Sequence, residues 1–308
     1  RSRGGVNVPS HRLSISPLTA ADRALLPFVQ ELGADLIAQS FVRAAADVAE
    51  LRALVPDCPP IVAKIETEAA VGAIDGILDV ADAIMVARGD LGVEIPFEEV
   101  PLVQKDLIRR SLTRGRPVIV ATQMLESMTA APRPTRAEAS DVANAVLDGA
   151  DAVMLSAETA IGTFPIEAAS AAVRITDRAD RLRPLVSPEP MVAHLTGADE
   201  SVVDAAADLA RDDGGIDAIA CFTRSGRTAE LLASRRPGVP ILAFTPHEAS
   251  ARRLAVRHAV VPIITRDATD TDDFLALVLR GIAGRGLVAA GGRVVDAGAS
   301  RSALPPPT

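Results

Sequence analysis

Lys64 lies near the end of a short apolar run, IVAKIE at 61–66, in a chain whose only other lysine is Lys105 and whose remaining strong bases are arginines. An ammonium is a compact charge on a flexible stem, and a planar guanidinium cannot replace it in a tight site. The retained lysine therefore indicates a site that needs a point-like cation. A structural ion pair at the strand end is the alternative interpretation.

Glu66 and Asp90 are the carboxylates best placed to bind a metal. Glu66 ends the run that contains Lys64, and Asp90 follows the next apolar run, inside the letters RGDLG at 88–92. Magnesium prefers one or two carboxylates together with water and substrate oxygens. The pair predicts a magnesium or manganese site, unless both acids are simply solvated at the ends of their strands.

Three more apolar runs end in polar residues. They end at Arg43, at Thr122 with Gln123, and at Ser156 with Glu158. Five strands with polar groups at their carboxyl ends are typical of an α/β barrel or a doubly wound sheet, because both architectures place the active site at that edge.

The segments between these runs have helical periodicity, which predicts helices over 46–55, 71–80, 100–112, 136–147 and 165–175. Beyond a proline-rich stretch at 183–190 the pattern resumes. It predicts helices over 202–211, 229–234 and 248–256 and strands over 218–222, 241–244 and 260–264. Alternating strands and helices of this kind favour parallel sheets covered by helices.

Length and composition limit the function classes. The chain has 308 residues, 48% of them hydrophobic, and a formal net charge of −8. The acidic balance argues against a nucleic-acid partner. We find no apolar stretch of about 18 residues and no signal peptide, so the expectation is a cytoplasmic protein without a membrane partner. Cys58 and Cys221 are far apart and predict neither a disulfide nor a metal centre.

Four sequence blocks carry a family resemblance. They are AKIE at 63–66, MVARGDLGVE at 85–94, ATQMLESM at 121–128 and PRPTRAEASDVANA at 132–145. In content and order they resemble pyruvate kinase, and the similarity continues at lower density over 5–43 and 223–228. The resemblance implies five of the eight units of a (β/α)8 TIM barrel over 1–182, a linker over 183–200, and a small α/β C-terminal domain over 201–308 that is shortened at its end.

The resemblance also implies a reaction, the transfer of a phosphoryl group from phosphoenolpyruvate to ADP, giving pyruvate and ATP in glycolysis. It assigns Lys64 to the transferred phosphoryl group or the enolate. It assigns Gly89, Asp90 and Thr122 to the substrate carboxylate and phosphate, and Arg88 is a further candidate for substrate contact.

Other implied roles are less direct. Ser156 and Glu158 lie on the nucleotide side or cap the following helix. The loop after the strand at 218–222 binds an effector phosphate or forms an ordinary capped turn; its residues are Thr223, Arg224, Ser225, Gly226, Arg227 and Thr228. Arg136 and Glu138 favour an ion-pair segment between domains or subunits.

The resemblance further implies a homotetramer and a potassium ion whose ligands lie in a front part, including a mobile lid, that this chain does not contain. The expectation is therefore a fragment or shortened member with little activity alone. The alternative is a non-catalytic regulatory or interaction module that has inherited the residues of the predicted magnesium site without the activity.

Overall fold

The computed structural model describes residues 16–186, 198–212 and 214–297. The chain divides into two compact units, Arg1–Met191 and Val192–Thr308. Each unit contains one parallel sheet. The predicted linker at 183–200 lies partly outside the described residues.

The sheet of the first unit has five parallel strands whose spatial order follows the sequence. The strands are β1 Ile37–Gln39, β2 Ile61–Ile65, β3 Ala83–Ala87, β4 Val118–Ala121 and β5 Ala152–Met154. Consecutive parallel neighbours joined by helices are the repeating unit of an α/β barrel. The predicted fold class is confirmed.

Nine helices flank this sheet in the described part of the unit. They are α1 Ala20–Glu31, α2 Ala45–Leu54, α3 Glu68–Gly72, α4 Ile74–Val80, α5 Arg88–Glu94, α6 Val100–Thr113, α7 Arg136–Leu147, α8 Ala157–Ala160 and α9 Pro165–Val186. A short 3₁₀ turn, Glu126–Thr129, follows β4.

Several helices differ from the predicted ranges. The helix predicted over 71–80 is two helices, α3 and α4, separated at Ala73. Helix α9 extends to Val186 and so enters the segment predicted as linker. The sequence pattern did not indicate α1, which begins at a capping box formed by Thr19 and Asp22.

Strand alternation places Lys64 on the face of the sheet that points away from the main core. Ile61, Ala63 and Ile65 belong to the core cluster that the helices cover. Because successive side chains of a strand point to opposite faces, Val62 and Lys64 share the other face. In a barrel that face is the interior, which leads to the site at the carboxyl ends of the strands.

The second unit has a four-stranded parallel sheet in the order β8-β7-β6-β9. Its elements are α10 Ala198–Asp212, β6 Ile216–Phe222, α11 Arg227–Ser234, β7 Ile241–Thr245, α12 Glu248–Leu254, β8 Val260–Ile264, α13 Thr271–Ala283 and β9 Arg293–Asp296. The sequence pattern did not indicate α13 or β9. Strand β9 pairs with the edge of β6 opposite β7, so the order of the strands reverses between β6 and β9. We call this position the change in strand order.

The core of this unit is formed by aromatic and aliphatic side chains on both faces of the sheet. The ring of Phe274, from α13, packs edge to face on Phe222 and Phe244, with centroids 6.0 and 5.7 Å apart. Cys221 is a free, fully buried thiol. Burial, with a smaller contribution from the charge of Asp296, raises the pKa of Cys221 to about 12, so the thiol stays protonated and unreactive while the unit is folded.

Within the described ranges, none of the helices combines the length and the apolar character that crossing a membrane requires.

Candidate active site

Lys64 and Glu66 form an ion pair at the carboxyl end of β2. Lys64 Nζ is 2.5 Å from Glu66 Oε1, and the two side chains are 24% and 2% exposed. A carboxylate with so little exposure needs compensating partners, because burying an unpaired charge is costly. The pair therefore contains one buried acid and one cation that still reaches the surface of the site.

The turn after β1 holds both members of this pair. Lys64 Nζ donates to Ser40 Oγ at 2.8 Å, and the Phe41 backbone N–H donates to Glu66 Oε2 at 2.8 Å. Phe41 has a φ of +56°, a conformation that non-glycine residues seldom adopt. Sequence reasoning selected Arg43 as the polar end of this run and missed Ser40, although Ser40 is the first residue after the strand.

Asp90 lies in the first turn of α5, directly after β3. β2 and β3 are paired in parallel, with Lys64 opposite Met85, so Glu66 and Asp90 follow neighbouring strands. The Asp90 side chain is exposed and makes no hydrogen bond or ion pair with any residue that the structure describes. Its carboxylate is therefore available to a ligand.

The donor set fits a magnesium or manganese ion that takes part of its coordination from elsewhere. Within the described ranges there is no group of three or more histidine, cysteine, aspartate or glutamate side chains able to enclose a metal. Magnesium does not need such a cage, because it usually binds one or two carboxylates and completes its shell with water and substrate oxygens. Glu66 and Asp90 are the two carboxylates that would hold it.

Thr122 follows β4 and contacts the start of α5. The Gly89 backbone N–H donates to Thr122 Oγ1 at 2.7 Å, and Thr122 Oγ1 donates to the Ala121 carbonyl at 2.6 Å. A Cβ on Gly89 would stand 3.3 Å from Thr122 Oγ1, so glycine permits this close approach. The structure thus joins two of the residues predicted to bind substrate, and the Gly89 amide is already engaged by the Thr122 hydroxyl.

The Arg88 side chain is nearly buried and contacts other parts of the protein. Its side chain is 8% exposed and paired with Asp141 at 2.6 Å. The same guanidinium donates to the Thr122 carbonyl at 2.7 Å and to the Gln123 carbonyl at 3.0 Å. The observed contacts of Arg88 are with the protein, and they surround the turn that carries Thr122.

Ser156 and Glu158 follow β5. Glu158 is 2% exposed and accepts hydrogen bonds from the backbone N–H groups of Ser156, at 2.9 Å, and Leu125, at 3.1 Å. Reaching back to the residue before α8 is a capping contact, so the structure supports the capping interpretation of Glu158. The Leu125 contact also fixes the chain after β4.

Glu138 caps helix α7 within its own unit, and the ion-pair role between domains or subunits that the sequence favours stays a prediction. Its carboxylate accepts hydrogen bonds from Thr135 N at 2.8 Å and from Ser127 N at 2.7 Å and Ser127 Oγ at 2.5 Å. It therefore connects the start of α7 to the 3₁₀ turn after β4. Burial raises the pKa of Glu138, but the hydrogen bonds from Ser127 and Thr135 outweigh this effect and hold the pKa below its ordinary value.

Replacing Glu138 with glutamine should lower the free energy of unfolding by about 1–2 kcal/mol at pH 7, the range typical of a lost cap. Because the folded pKa is lowered, this stabilisation is present above the unfolded pKa and is lost as the pH falls through the folded pKa. Urea denaturation of both proteins from pH 7 to pH 3 should show the difference shrinking with acid. Glu126→Gln, at an exposed acid in the same 3₁₀ turn, is the control, and a pH-independent Glu138 effect would contradict the account.

The predicted effector loop connects β6 to α11, at the change in strand order beside β9. Gly226 has a φ of +94°, and its N–H donates to Thr223 Oγ1 at 2.9 Å. Arg224 pairs with Asp267 at 2.9 Å. These internal bonds are those of a capped turn, and the position at a change in strand order is one where α/β sheets bind ligands, so both interpretations of the loop stand.

The fold and the site together define an α/β-barrel type of protein with a lysine and two carboxylates at the carboxyl ends of neighbouring strands. Comparison with family models matches residues 1–169 to "Pyruvate kinase, barrel domain" and residues 200–303 to "Pyruvate kinase, alpha/beta domain". The chain belongs to the pyruvate kinase family. The resemblance inferred from the four sequence blocks is thereby confirmed.

Named relatives agree with this assignment. A pyruvate kinase of Agrobacterium vitis is 51% identical over 268 residues, which are 86% of this chain and 56% of the relative. One of Geobacillus stearothermophilus is 45% identical over 305 residues, 96% of this chain and 51% of the relative. The crystal structure of a pyruvate kinase from Cryptosporidium parvum superimposes with a TM-score of 0.86 at 34% identity, covering 92% of this chain and 60% of that one. The chain thus spans about half the length of the curated relatives it matches.

Proposed function

We propose that this chain supplies the lysine, the metal-binding carboxylates and part of the substrate site of a pyruvate kinase, which transfers a phosphoryl group from phosphoenolpyruvate to ADP. The observation that carries the proposal is the buried Glu66 carboxylate paired with Lys64 after β2, together with an Asp90 carboxylate after the neighbouring strand β3 that has no partner among the described residues. Such an arrangement brings one cation and two hard oxygen donors to one edge of the sheet.

In the reaction, the bond between phosphorus and the enol oxygen of phosphoenolpyruvate breaks, and a new bond forms between phosphorus and a terminal phosphate oxygen of ADP. The enolate left behind takes a proton at its methylene carbon and becomes pyruvate. Catalysis of such a transfer is mainly positioning and electrostatic stabilisation of charge on the phosphoryl and leaving oxygens.

Lys64 is the residue that would stabilise the negative charge on these oxygens. Its hydrogen bond to Ser40 and its ion pair with Glu66 fix the ammonium before substrate arrives, so little reorganisation is needed during the reaction. The remaining donor capacity of the ammonium is directed at the transferred phosphoryl group or the enolate oxygen.

Thr122 and the first turn of α5 are the substrate-anchoring part of the proposal. The Thr122 hydroxyl and the backbone amides of Gly89 and Asp90 would contact the carboxylate and phosphate of the substrate. Since the Gly89 amide donates to Thr122 Oγ1 in this structure, a bound carboxylate would share or replace that hydrogen bond.

Glu66 and Asp90 would hold a magnesium or manganese ion, which when bound neutralises charge on the substrate oxygens. The other family properties belong to the same proposal and rest on the resemblance alone: potassium, a homotetramer, a cytoplasmic location, a nucleotide-side role for Ser156 and an effector phosphate at the loop after β6.

Calorimetric titration of the chain with phosphoenolpyruvate, with and without manganese chloride, tests the proposal. We expect measurable binding that depends on manganese, because the two carboxylates and the substrate oxygens would together coordinate the metal ion. Inorganic phosphate under the same conditions serves as the control and should bind more weakly. Binding of phosphoenolpyruvate that is unaffected by manganese, or no binding at millimolar substrate, would contradict the assignment.

A further inference from the structure

Strand β4 is followed by two consecutive non-glycine residues with left-handed backbone conformations. Thr122 has a φ of +67° and Gln123 a φ of +53°. A β-branched residue in this region is a genuine outlier, and each such residue costs on the order of 1–3 kcal/mol, so it persists only where its surroundings force it. Something in the structure must hold this turn.

Arg88 makes the contacts that hold it. Nη2 donates to the Thr122 carbonyl at 2.7 Å and to the Gln123 carbonyl at 3.0 Å. Nε also lies 3.3 Å from the Thr122 carbonyl. These carbonyls lie beyond Ala121, the last residue of β4 that pairs with β3, so the guanidinium replaces the partners that the sheet no longer provides.

Asp141, on α7, holds Arg88 in turn. Its Oδ2 accepts from Arg88 Nη1 at 2.6 Å, whereas the turn accepts from the other two guanidinium nitrogens, Nε and Nη2. The Arg88 side chain is 8% exposed and that of Asp141 is 38% exposed. An almost buried arginine needs a compensating charge, and Asp141 supplies it from a helix 53 residues further along the chain.

We propose that Arg88 and Asp141 form a positioning pair that keeps the Thr122–Gln123 turn in its left-handed conformation and so presents the Thr122 hydroxyl to the Gly89 amide and to substrate. Arg88 then acts through Thr122 and does not itself touch the substrate. The part of this inference that concerns substrate rests on the proposed function, whereas the part that concerns the turn rests on the hydrogen bonds alone.

The Gly89 amide is a direct reporter of the turn. It lies in the first turn of α5, where backbone N–H groups have no partner within the helix, and its bond to Thr122 Oγ1 at 2.7 Å protects it from exchange with solvent. A lysine at position 88 cannot bridge two carbonyls and a carboxylate, since it lacks the planar fork of donors. An asparagine at position 141 removes the charge that holds the guanidinium.

The test is amide hydrogen exchange of the whole chain, followed by NMR. Asp141→Asn should speed exchange of the Gly89 amide about tenfold or more, while the Ile84 amide in β3 keeps its parental rate. Arg88→Lys should have a similar effect. The double variant should exchange the Gly89 amide no faster than the stronger single variant, because both changes break the same ion pair. Phosphoenolpyruvate binding in the presence of manganese should weaken in parallel.

Arg52→Lys is the matched control. Arg52 pairs with Asp82 at 2.6 Å and donates to the Val80 carbonyl at 3.0 Å, the same kind of contacts at a place that does not contact the Thr122 turn. It should leave exchange of the Gly89 amide unchanged.

Unchanged Gly89 exchange in a folded Asp141→Asn or Arg88→Lys variant would overturn the positioning role. If Arg88→Lys fails to fold, Asp141→Asn decides, because it changes a partly exposed side chain and leaves the neighbours of Gly89 intact. Faster exchange in a chain whose parent does not bind phosphoenolpyruvate would uphold the positioning pair and refute the proposed function. If the variants keep the parental exchange rate of the Gly89 amide and the parent does bind phosphoenolpyruvate, the positioning pair is refuted and the proposed function is upheld.

Discussion

Replacing Lys64 with methionine should greatly slow phosphoryl transfer and also destabilise the first unit. The test protein is a chimera that adds to this chain the part of the Agrobacterium vitis relative that it does not cover. Turnover should fall by a factor of at least about 10²–10³, the loss typical of removing one preorganised donor at a developing charge. The Michaelis constant for phosphoenolpyruvate should change less, because the interaction forms mainly in the transition state.

The stability part of this prediction comes from Glu66. The apolar side chains of β2 alone predict that Lys64 contributes little to folding, but the structure leaves Glu66 only 2% exposed beside the lysine. Removing the cation leaves the buried Glu66 carboxylate without its compensating charge. The free energy of unfolding should therefore fall by about 3 kcal/mol. The double variant Lys64→Met with Glu66→Gln should recover most of this loss without recovering turnover.

Lys105→Met is the matched control for Lys64. Lys105 pairs with Asp148 on the surface and is 52% exposed, so its removal should change turnover and stability little. A Lys64→Met chimera with parental turnover would show that Lys64 is only a structural ion-pair residue.

Asp90→Asn should remove most of the manganese affinity while leaving the fold unchanged. The Asp90 carboxylate makes no hydrogen bond or ion pair with the described residues, so its removal breaks no structural contact. Affinity for a hard cation depends on the number of charged ligands, and the loss should be at least about tenfold. Water-proton relaxation with manganese as the probe measures the affinity, and thermal unfolding measures the fold.

Glu66→Gln should lose manganese affinity as well, but with a loss of stability because Glu66 is buried and compensates Lys64. Glu68→Gln is the control, since Glu68 is an exposed acid two residues further along the chain, in the first turn of α3. Equal manganese affinity in the parent and in both Asp90→Asn and Glu66→Gln would contradict the metal assignment.

The sheet of the first unit could be predicted from sequence because its central strands are continuous apolar runs that end in polar residues. The helix predicted over 136–147 has the same bounds as Arg136–Leu147, since Thr135 and Glu138 form a capping box that the sequence specifies locally. The predicted strand over 260–264 likewise matches Val260–Ile264.

The environment of Arg88 could not be predicted from sequence. Its partner Asp141 is 53 residues away along the chain, and nothing in the local pattern shows which way a guanidinium points. The direct substrate contact expected for Arg88 stays a prediction, and the contacts that the structure shows for Arg88 are with Asp141 and with the carbonyls of the Thr122 turn.

The two turns that position the site were also invisible at the sequence level. Phe41 and Thr122 have left-handed backbone conformations, which sequence reasoning associates with glycine or asparagine and not with an aromatic or a β-branched residue. Both turns receive hydrogen bonds from or donate them to distant residues, Phe41 to the Glu66 carboxylate and Thr122 from the Arg88 guanidinium, and such long-range contacts are not visible in a local sequence pattern. Local sequence signals are weakest at such functional positions.

The most direct test of the account is the rate of ATP formation from phosphoenolpyruvate and ADP by the chimera with arginine at position 64. Lys64→Arg keeps the positive charge next to Glu66, so the fold should stay close to parental, but the larger planar group cannot occupy the position of the ammonium. We expect a fall in turnover of about 10²–10³-fold at saturating substrate with an unchanged unfolding midpoint. Parental turnover in this folded variant would contradict it, because charge alone would then suffice at the carboxyl end of β2.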